Sequence, residues 1–306
     1  MKILVTGGAG FIASHIVDLY VEKGHQVVVV DNFSTGKKEN LNQKAKLYTI
    51  DIYKDTDELK KIFKKENFDV VNHHAAQISV SYSAKDPIFD AKVNVLGSLN
   101  LLQNCIKYKM KKIIFASSGG TVYGRTEKLP VSENLPLSPF SPYGITKAAV
   151  DFYLDFYNKE YGLKYVSLRY GNVYGPRQDP HGEAGVVAIF SKKMLADEIP
   201  IINGDGKYIR DYVFCKDIAC ANLLALEKDV IGAYNVGTTI GTDVNQLFKL
   251  LSEIIGFKHP AKYGPPRAGD LRKSVLSYKK IYMGLNWKPS VSLKQGFKET
   301  VEFFKK

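Results

Sequence analysis

Short apolar runs alternate with amphipathic helical patterns along the first half of the chain. The apolar runs cover residues 2–6, 26–30, 46–50, 69–72 and 112–116. The helical patterns extend from the first run to about residue 23, and then cover about 55–65, 88–109 and 143–161. Strands that alternate with helices form parallel sheets covered by helices on both faces. The pattern therefore predicts an α/β fold with a doubly wound parallel sheet.

The helical pattern over residues 88–109 also predicts which side chains are buried. Its apolar residues Val95, Leu99, Leu102 and Ile106 are three or four positions apart. In a regular helix this spacing places them on one face. We expect that face to pack against the sheet.

The strict alternation fades after about Tyr170, where loops rich in proline and glycine appear around 174–186 and 203–206. We therefore expect a sheet domain over residues 1–170 and a smaller α/β region mainly within 171–306. Residues around 212–236 are expected to return to the first domain. The smaller region would then cap the sheet and bind the substrate.

The charge of the chain raises the question of nucleic-acid binding. The net charge is +12, but only six of the 43 basic residues are arginines, and the lysines are spread along the whole chain. A nucleic-acid surface usually shows clustered basic residues. Four of the arginines lie in loop-like segments of the second half, which favours anion binding at one pocket. We therefore expect no nucleic-acid partner.

Other features exclude further classes of protein. The apolar runs are shorter than the roughly 18 residues that cross a bilayer, and the N-terminus enters a strand directly. These features predict a cytoplasmic protein without a membrane partner. Cys105, Cys215 and Cys220 lie in apolar contexts without metal-ligand spacing, so we interpret them as buried hydrophobic residues. The histidines 73, 74 and 181 are interpreted as structural or surface residues, and no metal site is predicted.

A glycine turn follows the first apolar run and precedes the first helix. Gly7 and Gly10 allow the backbone to turn tightly and to approach a ligand closely, and the helix N-terminus behind them suits a pyrophosphate. Asp31 ends the second apolar run, where a dinucleotide fold places a carboxylate to accept from ribose hydroxyls. This acid would repel a 2′-phosphate. The pattern predicts a Rossmann sheet that binds NAD in preference to NADP.

Tyr143 and Lys147 lie one helical turn apart in the segment 141–147. A phenol beside a fixed ammonium becomes easier to ionise, so Tyr143 is a candidate acid and base, with Lys147 lowering its pKa. Taken alone, the pair also fits a solvated helical turn. The glycine turn and Asp31 favour the catalytic interpretation.

These motifs together resemble the extended short-chain dehydrogenases/reductases, and within them the UDP-glucose 4-epimerase family. The resemblance covers the chain from end to end, in segments 6–12, 31–36, 74–77, 117–124, 143–147, 169–178, 210–213 and 266–270. It implies that Tyr143, Lys147, Ser118 and Thr121 are catalytic. It implies cofactor contacts from Gly7, Gly10, Phe11, Ile12, Asp31, Asn32, Ser34, Thr35, Gly36, Asp51, Ile52, Ala75, Ala76, Gln77, Asn94, Ser117, Tyr143, Lys147 and Tyr170.

The implied reaction interconverts UDP-glucose and UDP-galactose through a 4-keto sugar, with Tyr143 exchanging the proton of the 4-hydroxyl group. Dehydratases and decarboxylases of the superfamily carry an acidic residue after the two serines, whereas this chain has Gly119 and Gly120. The usual epimerase hydroxyl at position 119 is also missing, so Ser118 or Thr121 must supply it. A UDP-glucuronate 4-epimerase, another nucleotide-sugar enzyme and a non-catalytic nucleotide-binding module are the alternatives.

The resemblance also implies the substrate site and the oligomer. Substrate contacts are expected from Asn172, Arg210, Arg267, Asp270 and Ser274. The small side chain of Ser274 stands where the family has a gate beside the C2 substituent, so N-acetylated sugars are expected to be accepted as well. A homodimer is expected to form through the helices near 95–108 and 143–161.

Overall fold

The computed structural model describes residues 1–181, 185–266 and 271–305. The strands are β1 (Lys2–Thr6), β2 (Gln26–Asp31), β3 (Lys46–Thr49), β4 (Val70–His73), β5 (Lys112–Ser118), β6 (Lys164–Tyr170), β7 (Asn172–Tyr174), β8 (Ile201–Asn203), β9 (Ile209–Phe214), β10 (Gly232–Val236), β11 (Gly241–Asp243), β12 (Lys262–Gly264) and β13 (Lys273–Ser274).

The α-helices are α1 (Phe11–Glu22), α2 (Thr56–Glu66), α3 (Val80–Lys85), α4 (Pro87–Ala91), α5 (Gly97–Lys107), α6 (Gly119–Val122), α7 (Pro142–Tyr161), α8 (Val186–Leu195), α9 (Cys215–Glu227), α10 (Val244–Ile255), α11 (Lys279–Leu285) and α12 (Leu293–Phe304). A 3₁₀ turn covers Lys38–Asn40, and a π-helical segment covers Lys92–Leu96.

A seven-stranded sheet forms the centre of the fold, in the order β10-β6-β5-β4-β1-β2-β3. Its neighbouring strands are all parallel. The valines of β2 show why both faces are covered: Val27 and Val29 pack with α1 and α9, whereas Val28 and Val30 pack with α2, α5 and α7. Alternate strand residues point to opposite faces, so a run of valines needs helices on both. The predicted doubly wound α/β fold is confirmed.

Local capping sets the ends of α7, the helix that carries Tyr143 and Lys147. Ser141 is its N-cap and accepts the N–H of Gly144 at 3.1 Å, and Pro142 occupies the first turn. Gly162 ends the helix in the left-handed conformation, with φ +70°. The bounds of α7 therefore agree with the helix predicted over 143–161.

A smaller sheet lies beyond the large one and is centred on β9. It has the order β11-β9-β13, and β7 also pairs with β9. A separate apolar core lies around it, to which α8, α10 and α12 contribute Phe190, Leu247 and Phe297. The chain returns from this region to the large sheet at β10, which pairs with β6. The division of the chain at residue 170 stays a prediction.

The helix expected over residues 88–109 differs from the prediction. It consists of α4, the π-helical segment and α5 in succession, and its most buried apolar residues are Leu101, Leu102 and Cys105. A π-helical turn contains more residues than an α-helical turn, so it rotates the side chains that follow. Of the expected face of Val95, Leu99, Leu102 and Ile106, Leu102 is buried as predicted, whereas the other three are only partly buried.

Within the described residues, no helix is both long enough and apolar enough to cross a membrane.

Candidate active site

The glycine turn joins β1 to α1 at the carboxyl edge of the large sheet. Gly7 has φ +71°, and a Cβ atom on it would lie 2.7 Å from the backbone nitrogen of Ala75. This position requires glycine both for its conformation and for the close approach of the loop after β4. Gly10 is the N-cap of α1, which begins with the apolar residues Phe11 and Ile12. The free N–H groups at this helix end suit a pyrophosphate.

Asp31 connects the glycine turn to the loop after β2. Its Oδ2 accepts the N–H of Ala9 at 2.9 Å, and its Oδ1 accepts the N–H of Phe33 at 2.8 Å. Gly36 packs closely on the carboxylate, because a Cβ atom there would lie 2.9 Å from Oδ1. A carboxylate has about four acceptor positions, so Asp31 retains capacity for a ribose hydroxyl.

The other residues predicted beside Asp31 lie at the same edge of the sheet. Asn32, Ser34 and Thr35 are exposed, whereas Ile52 is buried. Asn32 Nδ2 donates to Asp51 Oδ2 at 3.0 Å, which ties the loop after β2 to the loop after β3. The structure therefore brings these five predicted cofactor residues together.

The loop after β4, residues 74–77, is held from two sides. The hydroxyl oxygen of Thr6 accepts the N–H groups of His74 and Ala75, each at 3.2 Å, and Ala76 follows in the same loop. The N–H of Gln77 donates to Asn94 Oδ1 at 2.8 Å, and Asn94 Nδ2 donates to the carbonyl of Gln77 at 3.0 Å. The side chain of Asn94 therefore bonds both backbone groups of Gln77 and shapes the loop that carries these two predicted cofactor residues.

Two more predicted cofactor residues have their polar groups engaged inside the protein. The hydroxyl of Tyr170 lies 3.0 Å from His74 Nε2 and accepts a hydrogen bond from Asn222 at 2.8 Å. The hydroxyl of Ser117 lies 3.4 Å from Asp151 Oδ2. Both side chains are buried, and their hydroxyls bond protein groups within the structure that surrounds the site.

Tyr143 and Lys147 lie one turn apart on α7, above the ends of β5 and β6. Lys147 Nζ lies 5.7 Å from the centre of the Tyr143 ring and 4.8 Å from that of Phe115. It donates a hydrogen bond to the carbonyl of Ala116 at 2.9 Å. The N–H of Tyr143 donates to Ser83 Oγ at 3.1 Å, so α3 also holds this turn.

The pKa of Tyr143 corrects one expectation. Burial raises the pKa of Tyr143 to about 12, a hydrogen bond with Ser118 opposes this, and Asp90 adds to it. Burial also lowers the pKa of Lys147 to about 8, although the carboxylates of Asp151 and Asp90 act to raise it. The expected lowering of the Tyr143 pKa by Lys147 is therefore outweighed by desolvation.

Ser118 is the hydroxyl assigned to Tyr143, because its side chain lowers the pKa of Tyr143 against the effect of burial. Thr121 Oγ1 instead lies 3.4 Å from the carbonyl oxygen of Ser118. Gly119 offers no space for a hydroxyl, because a Cβ atom there would overlap the side chain of Leu276. A Cβ atom on Gly120 would lie at an ordinary 3.9 Å from Asn172 Oδ1. The packing around Gly119 explains why this chain departs from the usual family pattern.

Strand β9 brings three predicted substrate residues together. Asn172 pairs with Tyr212 of β9 through β7, and Ser274 pairs with Arg210 of β9 through β13. Asn172 also lies beside Gly120, at the end of β5. The predicted substrate residues therefore meet the catalytic loop from the side of the small sheet. Arg267 and Asp270 lie outside the described residues.

A buried polar cluster that the sequence interpretation missed lies behind Tyr143 and Lys147. Asp90 is fully buried, and its Oδ1 accepts from Gln77 Nε2 at 2.6 Å and from Asn94 Nδ2 at 3.1 Å. Its Oδ2 accepts from Thr146 Oγ1 at 2.8 Å. An acid in a mostly apolar helical pattern, four residues before Asn94, is the signal in the sequence.

A second cluster was also missed. Asp151 lies one turn beyond Lys147 on α7, and its Oδ2 accepts from Arg169 Nε and pairs with Arg169 Nη2, each at 2.9 Å. Arg169 also donates to the hydroxyl of Tyr123 at 2.9 Å. Both charged side chains are buried. A buried carboxylate such as that of Asp151 is costly without a counter-ion, and Arg169 supplies one.

The remaining polar candidates do not form a metal centre. Within residues 1–181, 185–266 and 271–305, no group of three or more His, Cys, Asp or Glu side chains is placed to hold a metal ion. Cys105 and Cys215 are buried as expected, whereas Cys220 is exposed, because it lies on the outer face of α9.

The family is shown by comparison with known proteins. The sequence model of the NAD dependent epimerase/dehydratase family matches residues 3–237. The chain therefore belongs to this family, and the predicted NAD cofactor is confirmed. The residues described above fit the group, since the glycine turn, Asp31 and the α1 N-terminus would hold its pyrophosphate and ribose.

Within this family, the chain is similar to solved UDP-sugar epimerases over its whole length. It is 54% identical to the UDP-glucose 4-epimerase of Thermotoga maritima solved with UDP-glucose, covering 100% of this chain and 99% of that one at a TM-score of 0.98. It is 44% identical to the Thermus thermophilus UDP-glucose 4-epimerase solved with NAD, covering 100% of this chain and 99% of that one at a TM-score of 0.95. It is 37% identical to the Methanobrevibacter ruminantium UDP-N-acetylglucosamine 4-epimerase solved with UDP-N-acetylmuramic acid. The match covers 99% of this chain and 98% of that one at a TM-score of 0.94.

Proposed function

We propose that this protein is an NAD-dependent 4-epimerase that interconverts UDP-glucose and UDP-galactose. The observation that carries the proposal is the placement of Tyr143 beside Lys147, whose Nζ lies 5.7 Å from the centre of the Tyr143 ring and is held by the carbonyl of Ala116, at the sheet edge that carries the NAD-binding turn. The segment after Ser117 and Ser118 contains Gly119 and Gly120 instead of an acid. Tyr143 is therefore the side chain available for proton exchange, as epimerisation requires, without a second acid to drive elimination or decarboxylation.

When bound, NAD supplies hydride transfer at C4 of the sugar. Tyr143 in its phenolate form accepts the proton of the 4-hydroxyl group and later returns it to the 4-oxygen, so the protein neither gains nor loses a proton over a full cycle. The hydroxyl of Ser118 stabilises the Tyr143 oxygen by a hydrogen bond in both steps. Lys147, fixed by the carbonyl of Ala116, places a positive charge beside the ring and would bond the cofactor ribose. The protein therefore contributes orientation and proton transfer.

The substrate is held from the small sheet. Arg210 carries a guanidinium whose planar set of donors matches a diphosphate, and Asn172 lies beside the catalytic loop. Arg267 and Asp270 are proposed to complete this site. The paired strands β7, β9 and β13 fix the distance between the diphosphate and C4.

Ser274 makes the site wide enough for N-acetylated sugars. It is a small side chain that pairs with Arg210 at the predicted diphosphate position and is 8% exposed. A related epimerase has been solved with UDP-N-acetylmuramic acid. Turnover of UDP-N-acetylglucosamine at a rate comparable with that of UDP-glucose is expected, and complete inactivity on it would contradict this part of the proposal.

We propose that the protein forms a homodimer through the helices near 95–108 and 143–161, with α4 adding exposed apolar surface beside them. Ile145, Phe152 and Phe156 form an exposed apolar stripe along α7, with Phe152 66% exposed, and Ile88 on α4 is 67% exposed. Contiguous exposed apolar surface of this kind marks protein interfaces. Light scattering should give twice the 34.2 kDa chain mass, and Phe152→Asp should give the single chain mass. A wild-type monomer would contradict the dimer.

The function is tested by adding UDP-galactose to the purified protein without added cofactor. Formation of UDP-glucose is expected, because NAD is regenerated within each cycle and bound NAD is carried through purification. If neither UDP-glucose nor UDP-N-acetylglucosamine substrates are converted, even with added NAD, the proposed function is wrong.

A further inference from the structure

Asp90 is a buried carboxylate beside Tyr143 and Lys147, and neither the substrate nor the cofactor interpretation uses it. It lies at the end of α4, directly before the π-helical segment, and is fully buried. Within the described residues its carboxylate accepts hydrogen bonds from three neutral side chains, those of Gln77, Asn94 and Thr146. A buried charge with neutral partners is costly to retain unless its field serves a purpose.

The partners of Asp90 connect it to both sides of the site. Gln77 and Asn94 shape the loop after β4, which packs on the glycine turn. Thr146 lies between Tyr143 and Lys147 on α7, and its hydroxyl oxygen also lies 3.0 Å from the carbonyl of Tyr143. Asp90 therefore joins the cofactor loop to the turn of α7 that carries the catalytic pair.

The charged groups near Tyr143 and Lys147 come from few secondary-structure elements. Asp151 acts more strongly on Lys147 than Asp90 does, but Arg169 pairs with Asp151 and neutralises it. The other contacts are neutral: Ser83 from α3, Ser118 from β5 and Thr121 from α6. From β4, burial and Lys147 lower the pKa values of His73 and His74, so both rings are neutral. In the described surroundings of Tyr143, the carboxylate of Asp90 therefore has only neutral hydrogen-bond partners, and Lys147 is the cation that its field reaches.

We propose that Asp90 is a positioning residue that holds the Tyr143–Lys147 turn through Thr146 and sets the proton affinity of Tyr143 by its buried negative charge. A negative charge opposes the formation of a phenolate and stabilises the ammonium of Lys147. Tyr143 then holds its proton firmly enough to return it to the sugar. The inference rests on the proposed function, because it concerns the proton that Tyr143 exchanges.

The test measures the ionisation of Tyr143 directly. The NAD-bound protein is labelled with [ζ-13C]tyrosine, and the Tyr143 signal is identified by its loss in Tyr143→Phe. Asp90→Asn removes the charge at nearly constant size, so the pKa of Tyr143 should fall by about one pH unit, as expected for a charge at this range in a protein interior. The pH profile of kcat should move to lower pH by a similar amount.

Two variants and one control separate the charge of Asp90 from its hydrogen bond with Thr146. Thr146→Val keeps the charge but breaks the link, so kcat should fall about ten-fold while the pKa of Tyr143 stays unchanged. Asp155→Asn removes an exposed carboxylate of α7 that pairs with Lys159, and it should change neither property. Asp90→Glu keeps the charge and should keep the profile near its wild-type position, although kcat falls because the longer side chain fits poorly.

An unchanged Tyr143 pKa in folded, NAD-bound Asp90→Asn would overturn the inference, and so would normal kcat in Thr146→Val. If Asp90→Asn does not fold, the same titration of the neutral variant Asp90→Ser and the kcat of Thr146→Val decide in its place. The NMR titration needs no turnover. Failure of the proposed function, seen as no conversion by the wild type, is therefore distinguishable from failure of the role of Asp90.

Discussion

The large sheet and the small sheet position their functional residues in different ways. In the large sheet, the glycine turn, Asp31 and the loop at 74–77 follow individual parallel strands, and much of the binding surface is backbone. In the small sheet, Asn172, Arg210 and Ser274 come from short strands far apart in sequence and meet only because β7 and β13 both pair with β9. One region is built from local turns, and the other from long-range pairing.

This difference divides the reaction between the two regions. The cofactor site and the catalytic pair belong to the large sheet, so changes there should affect NAD retention or the chemical step. The proposed substrate contacts belong to the small sheet, so changes there should affect UDP affinity while the bound NAD stays in place. Three substitutions test this division, and a fourth tests the stability of the large sheet alone.

Tyr143→Phe should have the largest effect. It removes the exchanging hydroxyl without removing the ring, so kcat should fall about a thousand-fold. The dissociation constant for UDP, measured by calorimetry, should stay within about two-fold of the wild-type value, since the UDP contacts belong to the other sheet. Tyr153→Phe, on an exposed position of the same helix, is the matched control and should be fully active. Turnover within ten-fold of the wild type in Tyr143→Phe would remove this residue from the mechanism.

Gly7→Ala should abolish NAD retention. The new Cβ atom would lie 2.7 Å from the nitrogen of Ala75, in addition to the strain of φ +71°. Gly24→Ala is the control, because Gly24 has φ +78° but its Cβ atom would meet no atom within 4 Å in the described part of the chain. The control should lose about 1 kcal/mol of unfolding free energy, and Gly7→Ala about 2 kcal/mol more. Equal losses, with NAD absorbance retained in both, would show that the loop after β4 does not need the close approach.

Arg210→Lys should weaken UDP binding about ten- to hundred-fold, because a lysine cannot replace the planar set of donors. The amount of bound NAD should not change. Arg272→Lys is the matched control, since Arg272 forms an exposed ion pair with Asp205 at 2.6 Å. Loss of NAD without loss of UDP affinity in Arg210→Lys would contradict the division between the two sheets.

Glu66→Gln should have the smallest effect, on stability alone. Burial opposes ionisation of Glu66, but hydrogen bonds from Lys2, Lys46 and Tyr48 prevail and lower its pKa to about 2. A lowered pKa means that the stabilisation is present above the unfolded-state pKa and is lost as the pH falls from about 4.3 towards 2. Urea unfolding at pH 7 should show a loss of about 2 kcal/mol, discounted for the partly exposed lysines.

The Glu66→Gln difference should shrink at pH 3, when part of the wild-type carboxylate is protonated. Glu58→Gln, which breaks an exposed pair with Lys61, is the control and should change stability by less than about 0.5 kcal/mol. A Glu66→Gln effect that does not depend on pH would mean that the side chain acts by packing instead of charge.

Much of the cofactor region was predictable because its signals are local. The valines of β2 and the spacing from Gly10 to Asp31 are visible in the sequence, and parallel strands place their ends at one edge. The irregular helix around Lys92–Leu96 was not predictable, since a π-helical turn leaves the apolar spacing ambiguous. The exposure of Cys220 was missed for a related reason: the apolar context of α9 does not show which face is buried.

The candidate site shows the same limit. The i, i+4 spacing places Tyr143 and Lys147 on one face. Whether the pKa of Tyr143 is raised or lowered depends on how deeply its hydroxyl is buried. Sequence reasoning predicted that the cation would dominate, whereas desolvation does. The roles of Asp90 and Thr146 also required coordinates, because their hydrogen bond joins residues of two separate helices.

By itself, the sequence determined the doubly wound sheet, the NAD-binding turn and the spacing of the candidate catalytic pair Tyr143 and Lys147. These follow from hydrophobic periodicity, glycine conformation and helical spacing, which act over a few residues. Only the tertiary structure decided that Ser118 is the partner of Tyr143, that Leu276 excludes a side chain at Gly119, and that Asp90 lies behind the site. Packing and desolvation depend on atoms brought together from distant parts of the chain, and a linear pattern does not specify them.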